Sequence, residues 1–292
     1  MTNPLTQLAP GLVRLIAPNP SPMTHWGTNT YVLRDGQTAV IDPGPQDKSH
    51  LHRILTAAGG KVDVILVTHS HLDHSPLAAD LSAATGAPVL AFGDSKAGQS
   101  PLMAALEASG DVQGGEGLDM QFRPDKTLAD GDAVDFGDHG IRAIHTPGHL
   151  SNHLCFQWQD HLFSGDHVMA WASSMVSPPD GDLGDFMRSC EKLLDSRATR
   201  FHPGHGNPVL APGDRLHQLM QHRKMRETQI LSALGRTPKT PSDLAREIYT
   251  DVNPALLGAA ARNVFAHVID LHSRGAAETP KNLSFHAKFT AP

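Results

Sequence analysis

The sequence predicts an α/β protein: a layered sandwich of sheets and helices over residues 1–235, followed by a small winged-helix-like domain over residues 236–292. Three observations carry this. Apolar, β-branched runs followed by amphipathic helical stretches occur twice over about 210 residues, the order a layered sandwich needs. From Pro212 the character changes to long helices, a Thr237-Pro238-Lys239-Thr240-Pro241 linker and a strand-like tail with Leu283, Phe285 and Phe289. A length of 292 residues suits one large domain plus a small one.

The elements follow in order. Residues 12–16 form a short apolar run. Residues 30–33 and 39–41 flank Asp35-Gly36, a hairpin turn signal, and Asp42-Pro43-Gly44-Pro45 stops the second strand. Over 48–58, Leu51, Ile54, Leu55 and Ala58 fall at helical spacing before Gly59-Gly60. The run 62–67 is nearly unbroken, as in a strand buried on both faces. A helix over 76–85 and a strand over 89–91 come next. Glycines crowd residues 92–126, which predicts a loop or lid around a short helix at 102–108. Strands resume at 133–136, 141–145, 153–158 and 161–164, and an amphipathic helix covers 185–194. A long helix runs from Pro212 to Gly235. Thr240 caps a helix through Tyr249, and a second spans 254–273, ahead of Gly275. The order helix, helix, hairpin-like wing completes the plan.

Composition excludes several classes. A net charge of −6 and a pI near 6.3 argue against binding nucleic acid or membranes through bulk charge. No apolar run approaches the roughly 18 residues of a membrane span, and no basic segment leads into a clean hydrophobic stretch at the N-terminus. Two cysteines, Cys155 and Cys190, cannot make a disulfide scaffold or a four-cysteine zinc module, and both sit in apolar settings as buried spacers. A soluble, cytoplasmic protein is the expectation. Nineteen histidines are out of line with the rest. Imidazole serves metal ligation and proton transfer near neutral pH.

The densest signal is Thr68-His69-Ser70-His71-Leu72-Asp73-His74, directly after the buried run 62–67. Three histidines and an aspartate in a loop at a strand end can converge on a metal, and imidazole with carboxylate suits zinc. Further candidates sit at later strand ends beside glycine: His149 in Thr146-Pro147-Gly148-His149, Asp166 in Ser164-Gly165-Asp166, and His205 in Pro203-Gly204-His205-Gly206. His145, His153 and His167 flank these motifs and are expected to brace or line the site.

In this order the segments resemble the metallo-β-lactamase superfamily. Pro22-Met23-Thr24, Gly27-Thr28-Asn29-Thr30-Tyr31, His222-Arg223, Arg226-Glu227 and the winged-helix tail resemble its beta-lactamase-like protein 2 branch. The resemblance implies a four-layer αββα sandwich with a metal site at its edge and two zinc ions as cofactors. It implies His69, His71 and His149 on one zinc and Asp73, His74 and His205 on the other. Asp166 would bridge the two beside a hydroxide, so that Asp73 and Asp166 are the catalytic carboxylates. It also places the segment holding His25 near the pocket. A histidine at position 71, where flavodiiron relatives carry a carboxylate, favours zinc and hydrolysis.

The resemblance implies a zinc-dependent metallohydrolase, with an endoribonuclease-like phosphodiesterase acting on single-stranded RNA as the first reading. A thioester hydrolase of the hydroxyacylglutathione type is the second, although those enzymes carry a different C-terminal helical domain. The third is a nucleic-acid-binding regulator with a structural metal. Residues 164–181, and Leu150 where a threonine is usual, depart from the family pattern and border the pocket. A small molecule or single-stranded RNA is the expected partner. Duplex DNA is not, because the helix over 254–273 carries only Arg262 as a fixed cation, opposed by Asp270.

Overall fold

Neighbouring residues of one short run part to opposite sides of a sheet, and that alternation builds the layers. The computed structural model describes residues 5–110, 112, 114–115, 117–250, 253, 257–279 and 282–292. Along strand β5 (Val64–Leu66) and the residue after it, Val64 and Leu66 enter the apolar layer between two sheets, while Ile65 and Val67 enter the outer one.

The first sheet runs β1 (Leu5–Ala9), β2 (Leu12–Ile16), β3 (Asn29–Asp35), β4 (Gln37–Ile41), β5, β6 (Val89–Ala91) and β7 (Lys126–Thr127) in spatial order. Its first four strands pair antiparallel, β1 with β2 and β3 with β4 through tight turns and β2 with β3 across the 17–28 loop. From β4 to β6 the pairing is parallel, so each connection carries a helix: α1 (Lys48–Ala58), then α2 (Leu77–Thr85). Asp47 caps α1 by accepting from the His50 amide, and Gly59 ends it in the left-handed region.

The second sheet has the order β12 (Arg200–Pro203), β11 (His161–Gly165), β10 (Leu154–Trp158), β9 (Ile141–His145), β8 (Ala133–Val134). Only β11 and β12 pair parallel, and α4 (Leu183–Leu194) crosses between them. Leu33, Ile41 and Leu66 meet Phe136, Phe156 and Phe163 between the sheets. Ile54, Leu77 and Leu81 cover the outer face of the first sheet. Phe186 and Leu193 of α4, with Leu216 and Leu219 of α5 (Pro212–Ala233), cover the second. The result is the four-layer αββα sandwich.

Two expectations gain their packing partners. The helix α3 (Pro101–Ser109), expected inside a loop or lid, is a structural partner of the C-terminal domain. Its Met103 and Leu106 are buried with Leu244 of α6 (Pro241–Ile248) and with Val264, Phe265 and Val268 of α7 (Leu257–Ser273). Ile230 and Leu234, at the end of α5, enter the same core. The tail pairs with itself as the expected hairpin-like wing does: Glu278 and Thr290 exchange backbone hydrogen bonds at 2.9 Å. Phe289 bridges Lys239 before α6, and Thr290 bridges Glu278 after α7, because burying Ala287 and Phe289 pulls the tail across both segments. The first turn expected of α7, at 254–256, lies outside the described residues. The strand β1 went unread because it is an edge strand whose Leu5 stays 46% exposed. No helix is long and apolar enough to cross a membrane.

Leu106→Ala should therefore destabilise the protein by about 2–5 kcal/mol, as a core truncation does. Urea unfolding reads this, and an unchanged midpoint would show that α3 lies outside the cooperative core.

Candidate metal centre

The ligand-type residues gather because four chain segments finish at one edge of the sandwich. The loop after β5 carries His69, His71, Asp73 and His74. The turn after β9 carries His149, Asp166 follows β11, and His205 follows β12. Gly204 allows the last approach: a Cβ there would lie 2.3 Å from Asp166 Oδ1 and 2.6 Å from His74 Cε1.

Two groups form. His69, His71, His149 and Asp166 bring one ligand atom each to within 4.8 Å of one another, and Asp73, His74 and His205 do the same. His71 Nδ1 lies 3.0 Å from His69 Nε2 and 3.1 Å from His149 Nε2. Asp73 Oδ2 lies 3.4 Å from His74 Nε2 and 3.2 Å from His205 Nε2. Asp166 stands between the groups, with Oδ1 3.5 Å from His74 and Oδ2 3.3 Å from His205 and 3.8 Å from His149.

The far nitrogen of four rings is tied down, which fixes what the near nitrogen presents. His149 Nδ1 donates to the Met175 carbonyl at 2.8 Å and His205 Nδ1 to the Gly27 carbonyl at 3.3 Å. His74 Nδ1 donates to Asp42 Oδ2 at 2.9 Å. Asp42 also accepts from the Thr68 amide and hydroxyl, both at 2.7 Å, so Thr68 Oγ1 is left to accept from His69 Nδ1 at 2.9 Å. Asp42 holds a backbone φ of 49° to reach this position. Thr28 Oγ1 donates to Asp73 Oδ2 at 3.0 Å. The His205 turn is held by Asn29 Nδ2 and Tyr31 Oη, which donate to the Pro203 carbonyl at 2.9 and 2.7 Å, and by Arg14, which donates to the Gly206 carbonyl at 3.0 Å.

These supports were not among the expected site residues. Asp42 read as part of an Asp-Pro-Gly turn. The Gly27–Tyr31 segment entered only through resemblance, and its hydrogen bonds now give its role. His153 packs under the site, stacked 5.1 Å from His69 and 2.8 Å from Thr146 Oγ1. His167 turns away to Cys190 Sγ at 3.5 Å, and His145 stacks on Phe92 at 3.8 Å. His25 lies beside the His205 turn, between Trp26 and Trp171.

Electrostatics divide the two groups. Burial holds His69 well below its ordinary pKa and His71 down to about 3, and it lowers His149 as well. Their rings are neutral, so converging lone pairs face one another at hydrogen-bond distance. In the other group burial also lowers the histidines but is overruled. Asp73, Asp166 and Asp42 raise His74 well above its usual value, and Asp166 lifts His205 to about 9. Burial pushes Asp73 and Asp166 up, yet the imidazoles beside them hold both well below the carboxylate range. His74 Nε2 and Asp166 Oδ1 are buried without a hydrogen-bond partner. Converging lone pairs, carboxylates that recruit protons and two orphaned atoms between them all fit a pair of divalent cations.

Residues 23–205 match the family described as the metallo-beta-lactamase superfamily, and residues 240–281 match the beta-lactamase associated winged helix domain. The chain is 31% identical to a beta-lactamase-like protein 2 homolog of Drosophila melanogaster, over 95% of this chain and 93% of that one. It is 28% identical to an atrochrysone carboxyl ACP thioesterase of Passalora fulva, over 83% and 69% of the two chains. A beta-lactamase domain protein from Burkholderia ambifaria shares the fold at a TM-score of 0.81 and 23% identity, with 99% and 93% of the chains covered.

Two outcomes follow from the charges. His205 sits near 9 against an ordinary 6.5, so its proton stabilises the metal-free fold fully below about pH 6.5 and ceases to as pH rises through 9. Melting of chelator-treated protein should fall across that window, and zinc should flatten the dependence. Zinc added near pH 7.5 in weak buffer should release on the order of one to two protons from His74 and His205. Asp42→Ala should weaken zinc affinity by about 10–100-fold in a chelator competition.

Proposed function

The chain belongs to the metallo-β-lactamase superfamily, and from that premise we propose that it is a hydrolase working with two zinc ions on an acyl thioester. The hydrolase reading rests on one observation, the Asp166 carboxylate set between two groups of ligand atoms. His69, His71 and His149 would hold one ion, and Asp73, His74 and His205 the other, with Asp166 shared. Nitrogen and carboxylate donors without thiolate suit zinc. When bound, the pair would supply Lewis-acid polarisation of the scissile bond and acidify a water molecule at neutral pH.

The residues do the rest. Asp73 is the more open carboxylate, its side chain 26% exposed against 11% for Asp166. Thr28 holds Asp73 Oδ2, the oxygen that faces His74 and His205. Thr68 and Asp42 keep His69 and His74 in one tautomer, so no ring turns during the reaction. His69, His74 and His205 are at most 2% exposed, which excludes bulk water from the inner wall.

Thioester chemistry is favoured over RNA by the relative named as a thioesterase and by the rim. Met23, Leu72 and Trp171 are 58, 51 and 40% exposed on the segments that carry the site, in a chain of net charge −6. Relatives named for acyl-carrier thioesters widen the class beyond the glutathione type. The phosphodiester reading keeps one support, the full-length match to the branch whose resemblance implied it. A duplex-reading role is disfavoured because α7 buries Ala260, Val264, Phe265, Val268 and Leu271 in a core shared with α3 and α6.

Elemental analysis of zinc-supplemented protein should find two equivalents per chain. A turnover panel of an N-acetylcysteamine thioester, a lactone, bis(p-nitrophenyl) phosphate and single-stranded RNA should favour the thioester and fail under chelator. Faster cleavage of RNA would install the phosphodiesterase instead. Asp166→Asn should lower turnover by more than about 100-fold while unfolding much as the parent does.

A further inference from the structure

One aromatic array beside the metal centre is used neither for packing a core nor for holding a ligand residue. His25 is stacked between Trp26, with ring centroids 4.2 Å apart and 23° between planes, and Trp171, at 4.8 Å and 25°. His25 adopts a left-handed φ of 57° to enter this stack. Trp171 remains 40% exposed although His25 covers one of its faces. An indole that would gain by burial is instead displayed.

The array is adjacent to the site and rigid. Gly206 follows His205, and a Cβ on it would lie 2.7 Å from Trp171 Cδ1 and 3.5 Å from His25 Cδ2, so only glycine lets the rings sit against this turn. Arg215 pins the Trp171 loop by donating to the Met169 and Ala172 carbonyls, both at 2.7 Å, and Arg223 donates to the Ser174 carbonyl. On the other side, Asn19 Nδ2 donates to Thr28 Oγ1 at 3.0 Å, which links the His25 loop to Asp73. A fixed aromatic shelf loses little conformational entropy on binding.

We propose that the Trp26–His25–Trp171 stack is a substrate-recognition shelf that takes a flat, conjugated acyl group and lays it beside the metal centre. The assignment rests on the hydrolase reading and narrows its substrate class to aromatic acyl esters and thioesters, as against saturated chains. Stacking on a fixed indole rewards a planar π-face, whereas an apolar wall alone would reward either shape.

The test uses the zinc-loaded protein and two carboxylates of equal charge, 2-naphthoate and decahydro-2-naphthoate. Any attraction of carboxylate to metal is common to both, so their ratio of dissociation constants isolates the ring contact. Calorimetry should give at least a tenfold preference for naphthoate. Trp171→Ala should cut that preference to threefold or less with unchanged zinc content and melting temperature, and Trp171→Phe should retain part of it. Equal binding of the two acids by the parent, or an intact preference in Trp171→Ala, would overturn the shelf. Tighter binding of a single-stranded oligoadenylate than of naphthoate, lost in Trp171→Ala, would overturn the acyl assignment in favour of a nucleobase. Binding is measured without turnover, so an inactive protein that passes this test would refute the hydrolase and not the shelf.

Discussion

A buried carboxylate that contributes no ligand atom organises the edge of this sandwich. Asp42 leaves β4 in a strained backbone conformation and accepts three hydrogen bonds, from the Thr68 amide, the Thr68 hydroxyl and His74. Through them it joins the end of one parallel strand to the loop after its neighbour. It also orients two rings, His74 directly and His69 through the Thr68 hydroxyl. At 2% exposure, a carboxylate with fewer partners would cost several kcal/mol, so the loop and the aspartate hold each other in place.

The same logic extends outward from the cluster. Asp73 and Asp166 need positive charge, and in its absence they draw protons onto His74 and His205, while His69, His71 and His149 stay neutral beside them. Such an edge is electrostatically frustrated without cations. It persists because the surrounding sheets are densely packed: the strands that end there belong to apolar layers with fully buried Ile41, Leu66, Phe163 and Phe201. Hydrophobic burial supplies the stability, and the site draws on it.

Local signals made much of this readable from residues. The histidines of the first loop fall within six positions, so their convergence needs no long-range information. The α1 helix was bounded correctly because an aspartate cap and a left-handed glycine act within one turn. Asp42 escaped notice because its partners lie 26 and 32 residues away and its own neighbourhood spells a turn. The packing partners of the wing and of α3 were out of reach for a related reason. Each was judged from its own segment, whereas Phe289 pairs with Lys239 and α3 packs against α7. Trp171 falls in the stretch that departs from the family pattern, where motif order offers no guidance.

The packing of α3 has a consequence for how the chain is made. Met103 and Leu106 share a buried core with residues as distant as Phe289, which are synthesised well after them. At roughly 5–20 residues per second, their apolar faces wait on the order of 10–40 s for cover. The sandwich layers can assemble during that interval, but the wall built on α3 cannot close until Phe289 has been made. The nascent chain therefore carries an uncovered apolar helix throughout that interval. The winged-helix domain then acts as a latch on a largely assembled sandwich.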